Sequence, residues 1–115
     1  MTSERVPAPL TPAVFHILFA LATGDKHGYE IAKQVGEDSQ GRVSMGTGTL
    51  YGSIKRMLAD CLIEEAESRP VPELDDERRR YYRLTTEGRR ALDAEVQRYA
   101  RVVAVAQDRE LLAPA

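Results

Sequence analysis

Residues 47–67, with the sequence TGTLYGSIKRMLADCLIEEAE, combine a helix with the start of the strand that follows it. Five apolar residues of this stretch recur at the spacing i, i+4, i+7, i+8, i+11 and so form one stripe: Leu50, Ile54, Met57, Leu58 and Cys61. This spacing predicts an amphipathic helix over residues 47–60. Leu62 and Ile63 then begin a strand that we expect to continue to Glu67.

Two further helices are predicted upstream of this stretch. The first has Thr11 as its N-cap and Pro12 at its first helical position, and Gly24 ends it. Its residues leave almost no polar face, and a helix that is apolar all round requires burial on all sides. A single domain of 115 residues rarely supplies that, so this helix predicts a partner subunit. A second, shorter helix follows Gly28 and stops near Gly36.

Downstream, residues 69–77 contain two prolines and an acidic turn, which predicts the tip of a hairpin. The return strand is expected over residues 78–84, and its alternation directs Tyr82 and Leu84 to the core and Tyr81 to the opposite face. Thr85 or Thr86 then caps a long final helix that we expect to last until about Leu112.

The final helix carries apolar residues at heptad spacing: Leu92, Val96, Tyr99, Val103 and Ala106. Such a seam is typical of a helix that packs along another helix, and it favours dimerisation. Packing onto the domain's own body explains part of the same stripe. Together the first and last helices predict this set of interface residues: Phe15, Leu18, Phe19, Leu92, Val96, Tyr99 and Val103.

Three helices followed by a two-stranded hairpin is the order of a winged helix-turn-helix, a mainly α fold with a small β-hairpin. We therefore expect a flexible N-terminal arm (residues 1–10), a winged-helix DNA-binding domain (residues 11–85) and a C-terminal dimerisation helix (residues 86–115). In such folds the third helix enters the major groove of DNA and the hairpin flanks it.

The outer face of the third helix supplies the first set of candidate DNA contacts. Lys55 and Arg56 lie opposite the apolar stripe, where they can reach phosphates or base edges, although a solvated face is the plain alternative. Thr47 and Thr49 lie near the helix N-terminus, where they suit phosphate oxygens or serve as caps. Tyr51 is expected at the edge of the stripe, half-buried, with its hydroxyl free to meet a phosphate.

A run of arginines on the hairpin supplies the second set. Arg78, Arg79 and Arg80 stand where the chain returns from the tip, and such a run commonly enters the minor groove or clamps a phosphate. The three acidic residues directly before them can pair with these arginines and neutralise them.

Composition narrows the function classes. The net charge of −2 over the whole chain argues against nucleic-acid binding. The acidic and basic residues are segregated, however, and a phosphate responds to the local field. The chain has no long apolar run and no secretory signal, so we expect a cytoplasmic protein. Its one cysteine, Cys61, excludes an internal disulfide and is expected to be a buried or half-buried thiol.

No constellation of catalytic or metal-ligating residues is evident. His16 lies within the apolar first helix, where packing explains it, and His27 has no ligand at metal spacing. The sequence also lacks a glycine-rich phosphate loop and a nucleophile motif. We expect neither an enzyme nor a bound metal or cofactor.

Three motifs in register resemble the PadR family of transcriptional regulators. They are HGYEI at residues 27–31, GTLY at residues 48–51, and RRRYYRLT at residues 78–85 followed by Gly88. Two positions depart from the family pattern: Gly52 replaces a proline, and Cys61 replaces the glycine that ends the recognition helix and suits a left-handed cap. The resemblance implies a dimeric regulator, usually a repressor, sometimes relieved by a small aromatic ligand at the dimer interface.

Our interpretation is a sequence-specific homodimer that binds double-stranded DNA at an inverted repeat. A small aromatic effector would fit a cavity lined by Phe15, Phe19 and Tyr99. The alternative is a winged-helix protein-interaction module without DNA binding, which the net acidic charge slightly favours.

Overall fold

The computed structural model describes residues 8–67 and 80–114. Their helices and strands follow the order α1 (Pro12–Leu21), β1 (Lys26–His27), α2 (Gly28–Asp38), α3 (Thr47–Ala59), β2 (Ile63–Ala66), β3 (Tyr81–Leu84) and α4 (Thr86–Asp108). The predicted mainly α winged-helix fold is confirmed, since four helices surround a small antiparallel sheet.

The helix starts lie where the capping residues predict them. The Thr11 hydroxyl accepts a hydrogen bond from the Val14 amide at 3.2 Å, and Pro12 begins α1. The ends were harder to predict: α1 stops at Leu21, before the glycine expected to end it, and α2 continues past Gly36 to Asp38. An internal glycine weakens a helix but does not stop it when the flanking turns are packed.

The sheet has one strand more than the sequence predicted. The order is β1-β3-β2, so that the return strand β3 lies in the middle, with His27 of β1 opposite Tyr81. This pairing explains why Tyr81 is buried although alternation directs it to the face opposite Tyr82. The His27 ring covers the Tyr81 ring on that face, at a centroid distance of 5.3 Å.

The core lies between α1, the apolar stripe of α3 and the first turns of α4. Leu18 and Leu92 are members of this core and are almost completely buried within the single chain. Their predicted contact with a partner subunit is therefore wrong, because the side chains are already packed against their own domain.

The end of α3 has the hydrogen bonds of a left-handed cap. The Leu62 amide donates to the Met57 carbonyl at 2.9 Å, and the Cys61 amide donates to the Leu58 carbonyl at 3.1 Å. Cys61 has φ 61°, the conformation that glycine adopts most readily. Its side chain is exposed, so the expectation of a buried or half-buried thiol is wrong.

The first turn of α4 is packed directly against the end of α3. Thr85 caps α4 by accepting from the Gly88 amide at 2.9 Å, and its hydroxyl also donates to the Cys61 carbonyl. Gly88 lies so close to the Leu62 carbonyl that a Cβ would overlap it. This backbone contact joins the helix-turn-helix to the C-terminal helix.

The described part of the N-terminal segment lies on α4. Arg98 donates a hydrogen bond to the Ala8 carbonyl at 3.3 Å, and Leu10 packs against the core. The flexible arm predicted for residues 1–10 therefore does not extend to residues 8–10, which are attached to the body; residues 1–7 lie outside the described residues.

Candidate nucleic-acid interface

The outer face of α3 presents polar and basic side chains to solvent. Leu50, Ile54 and Met57 are buried, whereas Lys55 and Arg56 on the opposite side are exposed. None of the described residues forms an ion pair or hydrogen bond with either cation. The two charges are therefore available to an anionic partner.

The N-terminus of α3 is left without a side-chain cap. The capping position is Gly46, so the first amides of the helix donate no hydrogen bond to a capping side chain. Thr47 and Thr49 are exposed within the first turn, and the capping role considered for them is not what the structure has. Free amides and two hydroxyls thus lie at the positive end of the helix dipole.

Tyr51 connects the two motifs at residues 27–31 and 48–51. Its ring lies against the backbone of Gly28, where a Cβ would come within 2.7 Å of the phenol Cζ. A side chain at residue 28 would push the Tyr51 ring aside, so the glycine allows the ring to lie against the start of α2. Tyr51 remains 47% exposed, which agrees with the half-buried position expected for it.

His27 links the start of α2 to the wing. Its Nδ1 accepts from the Glu30 amide at 3.3 Å, while the Glu30 carboxylate accepts from the His27 amide at 3.1 Å. The same imidazole packs edge-on against Tyr81 of β3. From the sequence, His27 was considered only as a possible metal ligand and rejected as one, so this structural role was missed, although a polar residue three positions before Glu30 is the signal of such a cap.

The described wing arginine is already paired. Arg80 donates to Glu65 of β2 at 2.9 Å, and Arg83 donates to Glu64 at 2.8 Å. For Arg80 the neutralising carboxylate thus comes from the neighbouring strand. The acidic residues considered as partners of the run, Asp75, Asp76 and Glu77, lie outside the described residues. Arg78 and Arg79 lie outside the described residues.

Beneath the wing, the buried Tyr82 stays in its neutral form. Burial raises the pKa of its phenol, and the nearby Glu65 carboxylate raises it further, while Arg80 lowers it. The side chain therefore supports the wing from below and carries no charge that would repel a phosphate.

A second surface is apolar and lies on α1 and α4. Phe15 stacks on Phe19 and meets Tyr99 edge-on, with centroid distances of 5.3 and 5.0 Å. Phe15 is itself buried, but Phe19 and Tyr99 are 42% and 43% exposed. Two of the exposed apolar residues on α4, Val96 and Val103, were predicted as interface residues. Three more on α4 and the segment after it were not predicted as such: Val102, Leu111 and Leu112.

Within residues 8–67 and 80–114, no group of histidine, cysteine or carboxylate side chains could hold a metal ion. Nor is any described helix long and apolar enough to cross a membrane.

A winged helix with an exposed, basic third helix defines a DNA-binding regulator by its class of fold. The family model of the transcriptional regulator PadR-like family matches residues 17–94, and the chain belongs to that family. Members of the family are DNA-binding transcription regulators and not enzymes. A search of curated proteins found no match.

Solved structures resemble the chain over most of its length. A PadR family transcription regulator from Clostridium difficile is 32% identical, with a TM-score of 0.66, and the match covers 89% of this chain and 100% of that one. A transcriptional regulator from Clostridium thermocellum is 26% identical, with a TM-score of 0.62, over 84% and 87% of the two chains. A PadR-like regulator from Bacillus cereus is 23% identical over 89% and 92%, with a TM-score of 0.67, and supports the fold alone.

Proposed function

We propose that this PadR-family regulator is a homodimeric, sequence-specific repressor that binds an inverted-repeat operator. The observation that carries the proposal is the outer face of α3, where Lys55 and Arg56 are exposed and have no partner among the described residues. Cations on a helix that enters the major groove can donate to base edges as well as to phosphates. At least one of the two therefore reads a base in each half-site.

The contacts to the DNA backbone come from the start of α3. Its uncapped amides, with the hydroxyls of Thr47 and Thr49, suit a phosphate oxygen. The Tyr51 hydroxyl lies beside the N-terminus of α2 and is the third candidate donor. Arg78, Arg79 and Arg80 supply wing contacts, although Arg80 must first leave Glu65.

The dimer forms through α4 with help from α1. Among the described residues, Phe19, Val96, Tyr99 and Val103 remain partly exposed, and an apolar face of this kind on a small domain fits an isologous contact with a second copy. Phe15, although buried, supports Phe19 and Tyr99 from behind. Residues 86–115 would thus serve as the dimerisation helix.

The proposed function also includes a small aromatic effector that binds at the dimer interface. Phe15, Phe19 and Tyr99 form an aromatic cluster at the surface that the dimer would cover, and a planar molecule could stack there between two protomers. Binding would change the contact between the copies and so release the operator. If a panel of planar aromatic compounds neither raises the melting temperature nor releases DNA, the effector is excluded.

The deciding experiment measures affinity for duplex DNA as a function of salt. The operator is first selected from a random duplex library, and the selected and scrambled duplexes are then compared. We expect an inverted repeat, specific binding well above binding to the scrambled duplex, and a log–log salt slope that reflects several phosphate contacts. Failure to enrich any sequence would contradict the proposal.

The second candidate is a protein-interaction module that does not bind DNA. Two observations favour it: the net charge of −2, and the pairing of Arg80 and Arg83 with carboxylates of β2. It predicts no salt-dependent retention of any duplex, so the same experiment separates the two functions.

A further inference from the structure

The buried part of α4 ends at one residue. Its buried residues are Gly88, Ala91, Leu92 and Glu95, all in the first three turns. Beyond Glu95, none of the residues of α4 is buried, and the helix continues through Asp108. At about 1.5 Å per residue, this projecting half extends for roughly 20 Å. Glu95 is therefore the last buried residue of α4, and one turn further on Arg98 and Tyr99 make contacts with Ala8 and Phe15.

The Glu95 carboxylate is buried and bound on several sides. It is 3% exposed, and it accepts hydrogen bonds from Arg98 Nε at 3.0 Å and from the Tyr99 hydroxyl at 2.9 Å. It also accepts a hydrogen bond from the backbone of Leu10. A buried charge is tolerated only when it is hydrogen-bonded in this way.

The same network ties the projecting helix to the N-terminal segment. Arg98 binds Glu95 and also donates to the Ala8 carbonyl, so that residues 8–10 are attached to α4 at two points. Burial raises the pKa of the Glu95 carboxyl, but the hydrogen bonds from Arg98, Tyr99 and Leu10 lower it to below its ordinary value. The carboxylate is thus charged at neutral pH, when it binds its partners most strongly.

We propose that Glu95 is a positioning residue that fixes the angle at which α4 leaves the body, and with it the distance between the two recognition helices of a dimer. The inference rests on the proposed homodimer. A tilt of about 10° over a lever of roughly 20 Å moves the tip by about 3.5 Å, which is close to one base-pair step of about 3.4 Å. The hydrogen bonds of Glu95 therefore select which half-site spacing the dimer accepts.

The test measures the distance between the two α3 helices directly. Cys61 is the one cysteine of the sequence, is exposed, and follows α3, so a nitroxide label on it reports the position of the recognition helix. Pulsed electron paramagnetic resonance then gives the distribution of label-to-label distances in the dimer. The variants are Glu95→Ala, Glu95→Gln and the control Asp93→Asn. The control removes an exposed carboxylate of the same helix, which among the described residues pairs with Arg89 alone.

The unsubstituted protein and Asp93→Asn should give the same narrow distribution. Glu95→Ala should broaden it by several ångströms and let the dimer bind duplexes whose half-sites are one base pair closer or further apart. Glu95→Gln keeps the shape and an acceptor for the Leu10 amide, so it should restore part of the narrow distribution even if Glu95→Ala folds poorly.

Melting curves of each variant show whether the substitution also lowers stability. Because all distances are measured far below the melting temperature, a broadened distribution reflects a change in the position of α4 and not unfolding. A narrow, unshifted distribution in a dimeric, folded Glu95→Ala or Glu95→Gln protein would overturn the inference while leaving the dimer intact. Absence of dipolar coupling in the unsubstituted protein would instead overturn the homodimer itself, and the inference with it.

Discussion

The recognition helix and the wing both carry cations, but the structure treats them differently. Lys55 and Arg56 on α3 have no partner among the described residues, whereas Arg80 and Arg83 on the wing side are held by Glu65 and Glu64. A free cation gains its full attraction to a phosphate or base, while a paired one must first lose its carboxylate. A count of charges along the sequence therefore overstates the attraction of the wing to DNA and understates that of α3.

The backbone contact between Gly88 and Leu62 packs α4 against the turn that joins the recognition helix to the wing, and its disruption should have the greatest effect on stability. Gly88→Ala would place a Cβ inside the Leu62 carbonyl, and backbone cannot move aside cheaply. We expect a loss of about 3 kcal/mol in the free energy of unfolding, because overpacking against rigid neighbours costs on the order of 1–3 kcal/mol or more. Urea unfolding measures it.

Gly36→Ala is the matched control. Gly36 lies inside α2, and a Cβ there meets nothing within 4 Å. Alanine should raise stability by about 0.5–1 kcal/mol, since it is the better helix former. Equal effects of the two substitutions would show that the Gly88 contact is unimportant.

The second prediction concerns the free cations of α3. Lys55→Ala or Arg56→Ala should weaken operator binding by about 1–3 kcal/mol for the one that reads a base, and should relax the preference at one position of each half-site. Affinity for operator and scrambled duplexes measures both effects. Arg90→Ala, an exposed cation on α4, serves as the control. If both α3 variants behave like the control, the recognition-helix assignment is wrong.

The recognition helix and the wing also show which features of the fold could be predicted from the sequence. The apolar stripe of α3, the caps at Thr11 and Thr85 and the order of elements were predictable, because they depend on local spacing and local hydrogen bonds. The pairing of Arg80 with Glu65 was not, since it depends on the register of β2 against β3. Register is a property of two strands together, and periodicity within one strand does not determine it.

Glu95 escaped prediction for a related reason. Its position on α4 reads as a solvated one. Arg98 and Tyr99 of the same helix donate to its carboxylate, but a further hydrogen bond comes from the backbone of Leu10, which is far away in sequence. Likewise the two-residue strand β1 is too short to give a pattern, yet its pairing with β3 decides that Tyr81 is buried.

The third prediction concerns the release of a paired arginine on the wing. Glu65→Gln removes the carboxylate that holds Arg80, so the arginine becomes available to a phosphate. We expect operator and scrambled duplexes to bind about two- to fivefold more tightly at low salt, because exposed ion pairs are worth roughly 0–1 kcal/mol. The salt slope should steepen by about 1.

Glu67→Gln controls for the loss of a negative charge alone. Glu67 is exposed just beyond β2, and among the described residues it has no ion pair. It should change affinity less than Glu65→Gln does. An equal gain from both variants would mean that net charge, and not release of Arg80, explains the effect.

The last prediction concerns the turn where the recognition helix ends and the wing begins. Cys61 has φ 61°, and a residue with a Cβ pays about 1–2 kcal/mol for that conformation. Cys61→Gly removes this strain, but glycine also gives the unfolded chain more freedom, so the net gain in stability should be about 0.5–1 kcal/mol. Cys61→Ala keeps the Cβ and should gain nothing. Thermal unfolding of the two variants side by side distinguishes relief of strain from loss of the thiol: if alanine stabilises as much as glycine, the thiol and not the backbone is the source of the cost.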